Sequence, residues 1–443
     1  MGSAPMRILI EPSGYACRNM GDLAMLQVAV ERLQRRWPEA EIAAFTAAPE
    51  RLRYYAPGVV LYSPQLHEQL LAAHLNRRMP FATRAAVVLR RLQAMTAPRN
   101  WRRICRVTGR FLAGGSREGL FAAPQDWPGR EGKRRLLRSF SLVVVSGAGC
   151  LADPFLGHAW RVLELIEAAV AAGVPTVLFG QGIGPLENPA LRAKARAVLP
   201  RVDFVGLRES RKSFGLLRKL GVPAGRIRVG GDDTIEFAYR QRGQAAGECL
   251  GVNLRLARYS RMNRALASAV LKTVVEFAQR RAIEVVPVPI SFDEHEADLD
   301  ALARLRQISP SEPVPEEPAA VVRLVGRCRF LVTGSYHGAV FALAQGIPVV
   351  AVSNSRYYDD KFLGLAELFG AGCEVVRLGE PGALERLHGA MEGMAGAGED
   401  LRGALLRSAV KQIALSHAAY DEAFEIVSAG AAPAGLHSAH SAA

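Results

Sequence analysis

The chain has 443 residues and a formal net charge of +14; 49% of its residues are hydrophobic and 22% are charged. This composition is typical of a globular protein, the length favours two domains, and the lack of any run of about 18 apolar residues argues against a membrane-spanning helix. The six cysteines form no C-x-x-C pair, which disfavours a zinc site or a disulfide framework and favours a reduced, cytoplasmic setting.

The first half of the chain alternates short apolar runs with helical patterns. The opening "MRILIEPSG" has the pattern of a first strand and lacks the features of a secretory signal. A helix is predicted at residues 23–37, with Asp22 at its start. The strands "SLVVV", "VPTVLFG" and "VDFVG" each precede a helical pattern, and "IRVGGDD" closes the series. This alternation predicts a Rossmann-like domain with a parallel sheet, residues 1–238.

The positive charge is concentrated at residues 77–138. This segment holds 15 arginines and one lysine against three acidic residues, a net charge of +13 that is nearly the whole excess. Such a segment suits an anionic partner, either an anionic membrane surface or a phosphate-linked substrate. Nucleic acid is disfavoured, because the segment contains no recognised nucleic-acid-binding pattern. The competing interpretation is a solvated, arginine-rich insertion in the first domain.

The second half repeats the βα pattern after a polar linker at residues 238–248. Strands are predicted at "CLGVN", "IEVVPVPIS", "RFLVTGS" and "IPVVAVSNS", and a long helical pattern follows them. The Pro- and Glu-rich residues 308–318 are predicted to be a loop, and residues 430–443 a disordered tail. We assign residues 249–429 to a second Rossmann-like domain. The fold class is therefore α/β, with two parallel sheets that face a central cleft, where ligands bind beyond the strand ends.

Several residues beyond the strand ends of the first half are candidates for this cleft. Asn19, Gly21 and Asp22 start a helix, where the exposed N–H groups suit a phosphate or a sugar hydroxyl, although a helix cap alone would explain the Asp. The "GAGCLAD" stretch offers close backbone approach at its glycines, and its Asp153 either binds a hydroxyl or caps the next helix. "GQGIGP" is a poor fit to a dinucleotide fingerprint.

Cationic residues and one histidine occupy corresponding places around the predicted cleft. Arg208 follows "VDFVG" and Arg255 follows "GVNL", so two arginines from two domains are predicted to face one ligand. His337 lies in the first turn of the predicted helix after "RFLVT", where the helix dipole favours a neutral imidazole that can move a proton. Lys361 is a further cation at the next strand end. A structural role is the alternative for each of these residues taken alone.

The ordered motifs resemble those of the polysaccharide pyruvyl transferase family. They are Asn-x-Gly-Asp, Gly-x-Gly, Gly-x-Gly-x-Gly-Pro, Arg-Glu-Ser, Gly-Asp-Asp, Ser-Tyr-His-Gly-x-x-x-x-Ala-x-x-x-Gly-x-Pro and Asp-Lys-x-x-Gly, spread over residues 7–370. The resemblance implies a fold similar to GT-B glycosyltransferases. It also implies transfer of a pyruvyl group from phosphoenolpyruvate to sugar hydroxyls as a cyclic ketal, with no metal and no cofactor, in cell-surface polysaccharide biosynthesis.

The resemblance also implies roles for individual residues. His337 is the expected acid for the donor's methylene carbon, and Asp22 or Asp153 is expected to orient or deprotonate the acceptor. The donor-binding residues are expected to be Arg208, Arg255, Ser335, Tyr336, Gly338 and Lys361. The acceptor or cleft-lining residues are expected to be Asn19, Gly21, Gly147, Gly149, Gln181 and Gly182. The acceptor is expected to be a sugar or a lipid-linked oligosaccharide, bound by the first domain, with the donor on the second.

One position departs from the family pattern. Many members carry an arginine two residues before the histidine, and this chain has Ser335 there, so either another cation substitutes or the donor differs. Two other functions compete with pyruvyl transfer: a GT-B glycosyltransferase that uses a nucleotide sugar, and a catalytically silent glycan-binding protein. The localisation expected is cytoplasmic, with peripheral contact at the inner face of an anionic membrane.

Overall fold

The computed structural model describes residues 6–74, 129–147, 149–245, 247–293, 298–303, 305 and 316–430. The expectations for the insertion at residues 77–128, for most of the loop at residues 308–318 and for the tail at residues 431–443 lie outside these ranges.

The first sheet has seven parallel strands in the order β3-β2-β1-β4-β5-β6-β7. The strands are β1 Arg7–Glu11, β2 Glu41–Phe45, β3 Val60–Tyr62, β4 Leu142–Val145, β5 Thr176–Gln181, β6 Phe204–Leu207 and β7 Ile227–Val229. The central strand β1 pairs on both sides, with Ile8 opposite Ile42 on β2 and Leu142 on β4. Its apolar residues are fully buried, as expected for a parallel sheet covered on both faces.

Helices connect these strands, as the alternating pattern predicts. They are α1 Met20–Arg36, α2 Pro49–Tyr55, α3 Pro64–His74, α4 Gly129–Arg138, α5 Leu156–Ala171, α6 Pro189–Val198, α7 Ser213–Leu220 and α8 Thr234–Arg240. The expected start of the first helix at residue 23 is wrong. Asn19 is the cap, because its side chain accepts hydrogen bonds from the N–H groups of Gly21 and Asp22 at 3.1 and 3.3 Å. Helix α8 also extends into the start of the expected linker.

The second sheet has five parallel strands in the order β12-β11-β10-β8-β9. The strands are β8 Cys249–Asn253, β9 Val285–Pro287, β10 Cys328–Thr333, β11 Val349–Ser353 and β12 Cys373–Arg377. The helices are α9 Arg264–Arg281, α10 Asp298–Ala301, α11 Pro318–Gly326, α12 Tyr336–Ala344, α13 Arg356–Phe369, α14 Ala383–Ala395 and α15 Glu399–Gly430. Helix α12 begins at the predicted residue, so His337 does lie in its first turn.

Two sets of contacts join the halves around the cleft. The segment before α1 pairs with the segment after β9, through hydrogen bonds from Met20 N to Ile290 O at 2.9 Å and from Phe292 N to Arg18 O at 2.8 Å. The last helix, α15, packs against α8 and α12, and so touches both halves of the chain. Within the described ranges, none of the helices combines the length and the apolar character needed to cross a bilayer.

Candidate functional site

A cavity of about 370 Å³ lies between the two sheets, at the carboxyl ends of their strands. Parallel sheets bind ligands at this edge, because the connecting loops and helix N-termini converge there. Nine of the residues predicted from the sequence line the cavity: Asn19, Asp22, Gly149, Arg208, Arg255, Ser335, Tyr336, His337 and Lys361. Residues far apart in the chain thus meet in one place, as the predicted cleft requires.

His337 stands between two carboxylates. Its Nδ1 lies 3.9 Å from Asp22 Oδ1, and its Nε2 lies 3.9 Å from Asp232 Oδ2. Nε2 is buried, and no residue in the described part of the chain forms a hydrogen bond with it. Gly21 packs directly on the imidazole, since a Cβ built there would overlap the ring. A buried imidazole nitrogen with no protein partner is unusual in a purely structural histidine and leaves that atom available to a ligand.

The histidine is neutral in the free protein. Burial lowers the pKa of His337 to about 4, against the opposing pull of Asp232 and Asp22, and the cations Arg208 and Lys361 lower it further. An anionic ligand that neutralised these two cations would remove part of the cause and raise the pKa again. The site can therefore couple protonation of the imidazole to the arrival of an anion.

Arg208 is the fully buried cation of the site, at 1% exposure. Its Nη1 contacts Asp232 Oδ2 at 3.2 Å, and its guanidinium carbon lies 4.0 Å from the centre of the Tyr336 ring. The Arg208 Nε and the Tyr336 hydroxyl are buried, and neither has a hydrogen-bond partner within the described ranges of the chain. Gly182 makes room for this side chain, since a Cβ there would come within 2.8 Å of Nε. Both unpartnered groups can donate to an anionic ligand.

Lys361 reaches the cavity from α13. Its ammonium contacts the hydroxyl of Tyr357, and that hydroxyl donates to the carbonyl of Gly149 at 3.0 Å. A Cβ on Gly149 would overlap the lysine, so the glycine is needed for this close approach. Burial and the neighbouring Arg208 hold the pKa of Lys361 well below its ordinary value. A bound anion would raise the pKa of Lys361 again, which makes Lys361 responsive to the same ligand as His337.

Arg255 fills the space beside Ser335. Its Nη2 lies 3.5 Å from Ser335 Oγ, and two of its nitrogens contact Asp298 at 2.8 and 3.2 Å. Asp298 also accepts hydrogen bonds from the N–H groups of Ile290 and Ser291 at 2.8 and 2.9 Å. The fork of Arg255 is thus held in one orientation. A cation from β8 therefore stands next to the position where the sequence pattern lacks its arginine.

Other predicted residues support the site from outside the cavity. The carboxylate of Asp153 accepts hydrogen bonds from the N–H groups of Glu187 and Asn188 at 2.6 and 3.2 Å, which leaves Asp22 as the member of that predicted pair that faces His337. The amide of Gln181 donates to the backbone carbonyls of Val145, Ser146 and Phe179. Gly147 packs under the Met25 methyl group and Gly338 against Thr333.

Two aspartates of the site escaped the sequence analysis. Asp232 belongs to "GGDD", where adjacent aspartates gave no reason to choose one, and Asp298 lies in a short helix after a loop. Each of these aspartates contacts residues that are distant in the chain, so the spacing of residues in the sequence could not indicate its role. No group of three or more His, Cys, Asp or Glu residues in the described part of the chain is arranged to hold a metal ion.

Comparison with known proteins identifies relatives by sequence and by fold. The sequence profile of the polysaccharide pyruvyl transferase family matches residues 19–356. A search among curated proteins found no match. A structure described as a UDP-N-acetylglucosamine 2-epimerase from Listeria monocytogenes is similar in fold, with a TM-score of 0.54 and 10% identity over 95% of this chain and 97% of that one.

Two further structures share this architecture. The UDP-GlcNAc 2-epimerase from Neisseria meningitidis bound to UDP-GlcNAc has a TM-score of 0.53 and 10% identity, over 95% of this chain and all of that one. The complex of MnaA from S. aureus with UDP has a TM-score of 0.50 and 11% identity, over 93% and 94%. These likenesses confirm the GT-B-like fold class of two Rossmann-like domains facing a cleft.

Proposed function

The chain belongs to the polysaccharide pyruvyl transferase family, and from that premise we propose that it moves a pyruvyl group from phosphoenolpyruvate to two hydroxyls of a sugar. The product is a cyclic ketal, and the acceptor belongs to a cell-surface polysaccharide or its lipid-linked precursor. The observation that carries the proposal is the convergence of His337, Arg208, Arg255 and Lys361 on one cavity between the two sheets.

The charges of the cavity suit this donor. Phosphoenolpyruvate carries a carboxylate and a phosphate, and guanidinium groups bind both with paired hydrogen bonds. Arg208 Nε and the Tyr336 hydroxyl offer unpartnered donors, and Arg255 lies on the opposite wall beside Ser335. One anionic group between Arg208 and Lys361 and another at Arg255 would use the three cations that the sequence predicted for the donor.

The reaction requires acid and base at fixed places. The donor's methylene carbon gains one proton, and the departing phosphate gains another, while two sugar hydroxyls each lose one. His337 is the acid in this scheme, because binding of the donor offsets the cations that lower the pKa of its imidazole. Asp22, 3.9 Å from Nδ1, holds the ring in place and favours the charged form.

The experiment is a comparison of donors with purified protein. We expect phosphoenolpyruvate, and not UDP-GlcNAc, to raise the thermal midpoint. With a panel of methyl glycosides that present a diol at O4 and O6, phosphoenolpyruvate should release phosphate and give a product heavier by one ketal. Stabilisation by the nucleotide sugar alone would refute the proposal and support a glycosyltransferase.

The matching variant is His337→Gln, which keeps the size of the side chain and removes its acid. Loss of a general acid typically lowers the rate about 10²- to 10⁴-fold. We expect turnover to fall within this range while phosphoenolpyruvate still stabilises the protein. A folded variant with undiminished turnover would contradict the role of His337, whatever the donor.

A further inference from the structure

A second group of ionisable residues lies beneath the wall of the cavity formed by the first half of the chain. It consists of Glu11 at the end of β1, Tyr15 in the following loop, His67 on α3 and His158 on α5. Tyr15 and His158 line the cavity, and Glu11 lies behind them at 0% exposure. The proton chemistry above assigns an acid at His337 but leaves the acceptor's proton without a destination, and this cluster sits on the acceptor side.

The contacts within the cluster form a path for a proton. The Tyr15 hydroxyl donates to Glu11 Oε1 at 2.6 Å. The other carboxylate oxygen lies 3.4 Å from His67 Nε2, without the alignment of a hydrogen bond. The ring of His158 meets that of Tyr15 edge to face at 5.5 Å. Tyr15 thus links the cavity to a carboxylate that no solvent reaches.

A structural role does not explain this arrangement. Glu11 Oε2, both nitrogens of His67 and Nε2 of His158 are buried without a hydrogen-bond partner among the residues that the structure describes. Buried polar groups left this way cost stability, and apolar side chains of similar size would pack the same space without that cost. Groups of this kind cluster where proton transfer takes place.

The electrostatics keep the carboxylate ready to accept a proton. Burial raises the pKa of Glu11, but the contacts with His67 and the Tyr15 hydroxyl outweigh burial, so that the pKa lies below its ordinary value and the ionised carboxylate is favoured. Burial and the adjacent Glu11 raise the pKa of Tyr15. The tyrosine therefore stays protonated and can only pass on a proton as it receives one.

We propose that Tyr15 and Glu11 receive the proton of the attacking sugar hydroxyl, with Tyr15 touching the acceptor and Glu11 behind it. This inference rests on the proposed function and deepens it. It places the reacting hydroxyl at the Tyr15 side of the cavity, and makes Tyr15 a catalytic residue and Glu11 the group that briefly takes up the Tyr15 proton.

The step is balanced in atoms and charge. The acceptor O–H bond breaks as its oxygen bonds to the central carbon of the donor, and its proton moves to the Tyr15 oxygen while the Tyr15 proton moves to Glu11. His337 gives a proton to the methylene carbon, which becomes a methyl group. Phosphate then leaves with the C–O electron pair and takes the proton held by Glu11, which returns through Tyr15. The second hydroxyl closes the ketal and gives its proton to His337, so that both groups regain their starting states.

The test uses the full chain, phosphoenolpyruvate and the methyl glycosides described above. Tyr15→Phe removes the hydroxyl and keeps the ring, and Glu11→Gln removes the base. Tyr62→Phe is the control. Tyr62 lies on β3, in the sheet that also contains Glu11; this tyrosine is buried but does not line the cavity. Turnover, affinity for phosphoenolpyruvate and the thermal midpoint are measured for each variant.

We expect Tyr15→Phe to lower turnover about 10²-fold with donor affinity within twofold of the unaltered protein, and Tyr62→Phe to leave both unchanged. Turnover of Tyr15→Phe within threefold of the unaltered protein would overturn the inference and leave the proposed function standing. If the unaltered protein forms no ketal, the proposed function fails and the inference fails with it. If Glu11→Gln does not fold, Tyr15→Phe decides alone.

Discussion

Ser335 stands where many family members are expected to carry an arginine, and a neighbouring arginine lies close to it. The family pattern places an arginine there, and in this chain the guanidinium of Arg255 lies 3.5 Å from the serine hydroxyl. Asp298 holds that guanidinium from the other side. The carboxylate or phosphate of the proposed donor would thus meet a cation in the same region, supplied by the loop after β8 instead of by the start of α12.

This substitution predicts a defect in donor binding for Arg255→Lys. The lysine keeps a positive charge beside Asp298 but loses the planar guanidinium, which can donate to Asp298 along one edge and to an anion along another. A hydrogen bond to a charged group contributes about 1.5–3 kcal/mol, so we expect the KM for phosphoenolpyruvate to rise about tenfold or more, with a smaller change in kcat. Steady-state kinetics with phosphoenolpyruvate as the varied substrate measure both constants.

The control for this prediction is Arg264→Lys on α9, where the arginine side chain is 81% exposed and should tolerate the change. An unaltered KM in Arg255→Lys would show that Arg255 only supports Asp298.

The residues of the site were predictable where they follow a strand in a motif, and unpredictable where they act across the chain. Arg208 follows a strand and His337 lies at the start of a helix, so periodicity and topology place both at the cleft. Lys361 lies further along, in the second turn of α13, and not at the strand end where it was predicted. Asp298 contacts Arg255 over 43 positions of sequence, and no spacing rule connects them. The same applies to Glu11, whose position inside a predicted strand gave no sign that it meets His67 and Tyr15.

At the scale of elements, the strong βα periodicity predicted both sheets, while weaker patterns were missed. Strand β2 contains two adjacent alanines, β3 has only three residues, and the edge strand β12 carries charged residues at two of its five positions. Alanine has a low strand propensity and short strands carry little periodicity. The cap of α1 was misplaced because Asn19 and Asp22 are both good caps, and only their hydrogen bonds distinguish them.

The packing at the start of α1 predicts that Gly21→Ala lowers activity and stability, whereas helix propensity alone would predict a gain in stability. Alanine inside a helix is favoured over glycine by about 1 kcal/mol, yet a Cβ at Gly21 would overlap the ring of His337. We expect the imidazole to be displaced and turnover to fall at least tenfold, with a lower thermal midpoint.

Gly389→Ala on α14 is the matched control for this packing argument. A Cβ there has nothing within 4 Å, so this variant should keep its turnover and gain slightly in midpoint. A stabilised, fully active Gly21→Ala would show that α1 does not set the position of His337.

At the scale of the molecule, the positive charge predicts contact with an anionic surface. Residues 77–138 carry +13 of the total +14, and each basic residue near an anionic membrane contributes about 1 kcal/mol at low salt. Co-sedimentation with liposomes should rise with the content of anionic lipid, fall as salt is added, and drop when arginines of this segment are changed to glutamine. The same number of changes among exposed arginines of α9 is the control. Equal, weak binding to neutral and anionic liposomes would favour a solvated insertion.

The buried histidines around the cleft connect the site to the stability of the whole molecule. Burial lowers the pKa of both His158 and His337 to about 4, whereas an unfolded chain binds these protons near pH 6.5. Between pH 6.5 and pH 4 the unfolded state binds protons that the folded state does not bind, so the free energy of unfolding falls with decreasing pH. Each such proton costs about 1.4 kcal/mol per pH unit. This loss of stability at low pH follows from the burial that keeps the two imidazoles neutral.

We therefore expect the urea midpoint of unfolding to decrease steadily from pH 6.5 towards pH 4, before most carboxylates are protonated. His158→Asn should make this decrease shallower, because one of the two histidines that bind a proton only in the unfolded state has been removed. His388→Asn is the control, since that side chain is 38% exposed and should leave the slope as it is. Asp233 opposes the trend only at the acid end, because burial raises the pKa of its carboxyl. A midpoint that stays level from pH 6.5 to pH 4.5 would mean that the two imidazoles are charged in the folded protein, and His337 would then be an acid before any donor arrives.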